Sequence, residues 1–91
     1  MFSYNIEVSL KKKLKVLAKK DKVLVDIFKK KLKEITSHTV ETIDTYKNLK
    51  SPLKELKRIH LKNNFVLVFK VLKKERHIIF VDLSHRDNMY K

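Results

Sequence analysis

An α+β fold is predicted: a helical hairpin laid on one side of a curved antiparallel sheet. Three observations in the 91 residues carry it. Residues 10–35 hold two amphipathic, lysine-rich segments with apolar positions at helical spacing. Residues 56–83 turn to alternating and then continuous apolar runs bounded by turn residues. A short alternating run, Ser3–Val8, precedes both. The expected order is β-α-α-β-β-β in one domain, 1–91, because a chain this short supports a single core.

Each element has a local reason. Tyr4, Ile6 and Val8 share one face of the first strand, and Ser9 is placed to cap the helix that follows. Leu10, Leu14, Leu17 and Ala18 form the apolar stripe of that helix, with Lys11, Lys12, Lys13 and Lys15 turned outward. Asp21 caps the second helix, whose stripe is Leu24, Ile27, Phe28, Leu32 and Ile35. Residues 36–52 read as a connection pinned by Val40, Ile43 and Tyr46, with room for a short helical turn. Leu56–Leu61 alternates, setting Arg58 and His60 on one face. Asn63-Asn64 supplies a turn without glycine, since Asn tolerates left-handed backbone angles. Phe65–Leu72 is the central strand, Lys73-Lys74-Glu75 the next turn, and His77–Leu83 the last strand before a polar tail.

Composition narrows the function. The net charge is +13, with 11 Lys against 3 acids in residues 10–35, and such a field predicts a polyanionic partner. There is no cysteine and no glycine, which removes thiolate chemistry, Cys-ligated metals and every glycine-rich phosphate loop. The four histidines (38, 60, 77 and 85) show no metal-ligand pairing, so neither metal nor cofactor is expected. The longest apolar run, Phe65–Phe69, is far short of the roughly 20 residues of a membrane span. The first residues carry no leader pattern, so a cytoplasmic protein with no membrane partner is expected.

What chemistry remains lies in Arg58 and His60 on one strand face and His85, Arg86 and Tyr90 in the tail. These types suit RNA cleavage, in which the 2′-hydroxyl attacks its own phosphate. Histidine supplies acid or base near neutral pH, Arg holds phosphate oxygens in a fork, and an aromatic ring stacks on a base.

From Tyr46 to Lys91 the sequence resembles the C-terminal half of RelE/YafQ-type toxins of toxin–antitoxin systems. The likeness rests on Lys50-Ser51-Pro52-Leu53-Lys54, Arg58-Ile59-His60-Leu61, Phe65-Val66-Leu67-Val68-Phe69 and the ending His85-Arg86-Asp87-Asn88-Met89-Tyr90. The resemblance implies a RelE-like fold and a ribosome-dependent endoribonuclease that cuts mRNA without a metal and is neutralised by an acidic antitoxin. It implies catalytic roles for His85 (general acid), His60 and Arg58, and stacking on the mRNA for Tyr90; Arg86, Lys54 and Asn64 are further expected substrate contacts. Ser51 stands where many YafQ-like members carry a further His, and Asn64 where they carry an acid. Asn64-Phe65-Val66 replaces a Gly-Tyr-Arg, so one phosphate-binding Arg is missing.

Arg58, His60, His85 and Tyr90 are expected to converge on one concave face away from the helices, with the two histidines within roughly 10 Å, one nucleotide's reach. Either histidine under the helices, or the two on opposite faces, would sink the nuclease that this face is expected to carry. Two alternatives stand beside it: a ParE-like toxin of the same fold that inhibits DNA gyrase, and a non-catalytic RNA-binding module.

Overall fold

A computed structural model describes residues 1–49 and 55–86. Strand β1 (Ser3–Ile6) leads into helices α1 (Val8–Lys20) and α2 (Lys22–Thr36), then strands β2 (Leu56–His60), β3 (Phe65–Leu72) and β4 (His77–His85). Single 3-10 turns at Ile43–Thr45 and Lys62–Asn64 precede β2 and β3. The sheet order is β1-β4-β3-β2. β2, β3 and β4 form the expected antiparallel meander, but β1 runs parallel to β4, so the sheet is mixed. Four residues at an edge carry no local signal of direction; the helical hairpin that returns the chain sets it.

The helices form for the reasons their sequences suggest. Asp21 caps α2, its carboxylate accepting from the Leu24 amide at 3.0 Å. At α1 the cap differs from expectation. Val8 opens the helix and is 64% exposed rather than extending β1, which leaves Glu7 at the cap position and Ser9 inside the first turn. From α2, Leu24, Phe28, Leu32 and Ile35 meet Leu10 of α1 and Leu67, Phe69, Ile78, Phe80 and Leu83 of the sheet. Phe80 is the centre of this core, edge-on to Phe28 at 6.1 Å and Tyr4 at 5.9 Å. Burying such a ring contributes about 1.5–3 kcal/mol.

The connection after α2 covers the β2 edge of the sheet on the helix side. Ile43 is fully buried and Tyr46 nearly so. Beneath it lies Lys57, opposite Phe69 in the register and 4% exposed. Its ammonium donates to the Tyr46 carbonyl at 3.0 Å and Asn48 Oδ1 at 2.9 Å, and pairs with Asp44 at 3.2 Å. A buried charge is tolerated because each N–H is used. Both Asn63 and Asn64 take positive φ, 58° and 63°, the left-handed turn that a glycine-free chain assigns to Asn.

Two substitutions test the capping. Asp21→Ala should lower unfolding free energy by about 1 kcal/mol, read from urea denaturation. Ser9→Ala should stay within about 0.5 kcal/mol of the parent; an equal loss in both would return the α1 cap to Ser9.

Candidate functional site

β2, β3 and β4 lie side by side, and their pairing decides which side chains share a face. Arg58 is opposite Val68, and Val68 is opposite Asp82. His60 is opposite Val66, and Val66 is opposite Ser84. Directly paired residues point to the same side, so Arg58, His60, Asp82 and Ser84 share the side away from the core-facing Leu67, Phe69 and Leu83. Arg58 and His60 are exposed and Val66 and Val68 are buried between the flanking polar pairs. Two strand spacings separate β2 from β4, about 10 Å.

His85 does not join them. It is part of β4, which runs two residues further than expected, and it lies opposite Phe65 with the rings edge-on at 5.6 Å. Phe65 packs against the helix-side core, so His60 and His85 sit on opposite sides of the sheet. This corrects the expected single concave face. The cause is a β-bulge: Val68 pairs with Asp82 but Phe69 pairs with Phe80, leaving Val81 as an extra residue. Ile78 and Phe80 face the core before the bulge, and Leu83 faces it after. Plain alternation from Phe80 would have placed His85 beside His60. At the level of the backbone the two remain neighbours, because β2 ends at His60, β3 begins at Phe65 and β4 ends at His85.

The bulge instead places Asp82 and Ser84 on the Arg58 side, where Lys13 reaches them from α1. Its Nζ donates to Asp82 Oδ1 at 2.6 Å and Ser84 Oγ at 2.7 Å, and the Ser84 hydroxyl donates to Asp82 Oδ2 at 2.7 Å. Burial alone would raise the Asp82 pKa, but the bonds from Lys13 and Ser84 outweigh it and hold the carboxyl below its ordinary value of 3.8. All three residues escaped the sequence reading. Lys13 reads as one of the outward lysines by run alone, but its spacing of three from Leu10 puts it on the flank of the apolar stripe.

Of the other expected contacts, Arg86 follows β4 and is exposed, and Asn64 is exposed at the turn into β3. Lys54 and Tyr90 lie outside the described residues. His38 and His77 are bound into local structure, His38 to Thr42 and Tyr46 (both 2.9 Å) and His77 to Ser3 at 2.7 Å and Asn5 at 2.6 Å. Among the described residues no three His, Asp or Glu side chains group as metal ligands, and no helix is long and apolar enough to cross a membrane.

No family model matches the chain. A relative from Methanocaldococcus jannaschii, described as "Putative toxin RelE4", is 43% identical over 91 residues, covering 100% of this chain and 93% of the relative. The isolated RelE toxin of E. coli superposes with a TM-score of 0.73 at 17% identity, over 93% of this chain and 84% of that one. A metal-bound toxin of Helicobacter pylori superposes with a TM-score of 0.72 at 26% identity, over 99% of this chain and 100% of that one.

The lowered Asp82 pKa fixes a sign. A carboxyl whose folded pKa lies below its unfolded value contributes stability above the unfolded value, lost as pH falls through the folded one. Wild type should therefore exceed Asp82→Asn by a constant margin at neutral pH, under about 1 kcal/mol for a pair this exposed. The margin should shrink below pH 3.8. Unfolding curves of both proteins across pH check this, and a margin unchanged in acid would contradict it.

Proposed function

Because the chain belongs to the RelE family of toxins, we propose that it is the toxin of a toxin–antitoxin pair and cuts mRNA on the ribosome. The observation that carries this is Arg58 and His60 exposed on one side of the meander in a protein of charge +13. Arg58 binds the scissile phosphate as a fork of N–H donors. His60 orients or deprotonates the 2′-hydroxyl, and His85 is the general acid at the 5′-oxygen.

The opposite sides taken by His60 and His85 overturn the single-face nuclease expected from the sequence, and cleavage on this sheet needs another route. Instead of lying across one face, the RNA backbone crosses the end of the sheet where β2, β3 and β4 stop together. In-line displacement sets the attacking and leaving oxygens on opposite sides of phosphorus. A base from one side of the sheet and an acid from the other meet that demand when the phosphate sits at the rim. Tyr90 stacking and contacts from Arg86, Lys54 and Asn64 complete the proposed site. The groups needed are all side chains, so the reaction as drawn requires no metal. Away from the ribosome activity is weak, because positioning supplies much of the rate.

A mostly acidic antitoxin covers this surface. The E. coli RelE neighbour is also solved as an intact toxin–antitoxin complex. With +13 to neutralise, association should slow steeply as salt rises; a stopped-flow rate indifferent to ionic strength would contradict charge steering.

Mapping 5′ ends of mRNA on translating ribosomes tests the nuclease. His60→Ala and His85→Ala should each reduce cutting about 10²–10⁴-fold while the protein still binds antitoxin, and Arg58→Ala should also impair it. The opposite-face histidines favour a second reading, a toxin of this fold that blocks DNA gyrase without cutting RNA. Parent-rate toxicity of both histidine variants, with lost supercoiling and intact mRNA, would establish that alternative.

A further inference from the structure

The Lys13–Asp82–Ser84 group is unused by the cleavage chemistry, yet it flanks Arg58 and His60 across the buried Val66 and Val68. One flank is cationic and the other presents a carboxylate, about 10 Å apart, a span on the scale of one nucleotide. The Lys13–Asp82 pair is neutral overall whereas Arg58 is cationic, so the strand that approaches the rim along this side keeps its backbone on the β2 side. Its bases then point toward β4.

Asp82 is equipped to receive them. Each carboxylate oxygen has two lone pairs; Lys13 takes one on Oδ1 and Ser84 takes one on Oδ2. The Leu83 backbone N–H takes a further one, and the side chain, 35% exposed, keeps an acceptor position open to solvent. Lys13 and Ser84 hold the carboxylate in a single orientation before any ligand arrives, which lowers the cost of binding. An outward carboxylate acceptor matches the exocyclic amino group of a base, as Asp and Glu accept from the cytosine N4 amino group. It opposes uracil, which carries no amino group and whose pairing edge is one N–H between two carbonyls.

We propose that Asp82, held by Lys13 and Ser84, reads the bases of the RNA and selects an amino-bearing base over uracil. The inference rests on the mRNA-cutting function proposed above and names a specificity determinant for it. Lys13 and Ser84 are positioning residues, acting through the carboxylate they hold.

The test is equilibrium binding of 2′-O-methyl oligo-C and oligo-U, which cannot undergo 2′-attack, to the intact protein at fixed salt. Wild type should bind oligo-C more tightly by about 5-fold or more, the scale of one good base contact. Asp82→Asn adds positive charge and should strengthen binding to both oligomers, but it should abolish the ratio. Ser84→Ala keeps the carboxylate and its Lys13 partner and should reduce the ratio partway, which serves if Asp82→Asn folds poorly. Equal affinities in wild type, or a ratio untouched by Asp82→Asn despite a lowered melting temperature, would overturn the inference and leave a structural ion pair. The assay needs no cleavage, so the two ideas fail separately. A protein that cuts mRNA without the ratio loses only the base assignment. One that keeps an Asp82-dependent ratio without cutting supports base reading while the nuclease reading fails.

Discussion

The single extra residue in β4 is the constraint on which the rest of the surface depends. Ile78, Phe80 and Leu83 are all fully buried, yet a flat strand cannot point residues 80 and 83 to the same side. Without the bulge at Val81, Leu83 would leave the core for the side of Val66 and Val68, and Asp82 and Ser84 would enter the core. Burying a carboxylate among Leu67, Phe69 and Phe80 would cost several kcal/mol. Core packing thus dictates the bulge, and the bulge sorts the polar residues beyond it. Asp82 and Ser84 go to the Arg58 side, and His85 goes to Phe65.

Lysine serves two separate purposes in this molecule. A few lysines are built into the fold: Lys57 lies under the connection with three acceptors, Lys73 pairs with Asp44, and Lys13 joins α1 to β4. Most of the rest line the helical hairpin, exposed and unneeded for packing. Charges of that kind add little to stability but sum to a field that attracts polyanions over distances set by salt. The same excess charge therefore links the composition to both proposed partners, an acidic antitoxin and RNA.

Much of this was legible in the sequence because it follows from period and caps. Leu24, Phe28, Leu32 and Ile35 declare the buried stripe of α2, Asp21 its start, and Asn63-Asn64 the turn into β3. Burial of Ile43 and Tyr46 under the connection was likewise foreseeable. The failures share a cause, dependence on partners distant in the chain. The direction of β1 shows only against β4, some seventy residues away, in pairs such as Ser3 with His77. Lys13 looks like one solvated lysine among several until Asp82 and Ser84 stand next to it. The side taken by His85 turns on Val81, and the only local trace of that is the interval from Phe80 to Leu83, three where alternation gives two. Arg58 and His60 precede the irregularity and were placed on their shared face by alternation alone.

The central claim, that the bulge separates His85 from His60 and hands their side of the sheet to Asp82, is open to direct measurement in solution. Nuclear Overhauser contacts of the His85 ring protons report which side of the sheet the ring occupies. The expected result is strong contact with the Phe65 ring and none with the methyl groups of Val66 or Val68. Contacts from His85 to Val66 and to the His60 ring, with Phe65 silent, would contradict the account and restore a two-histidine site on one face.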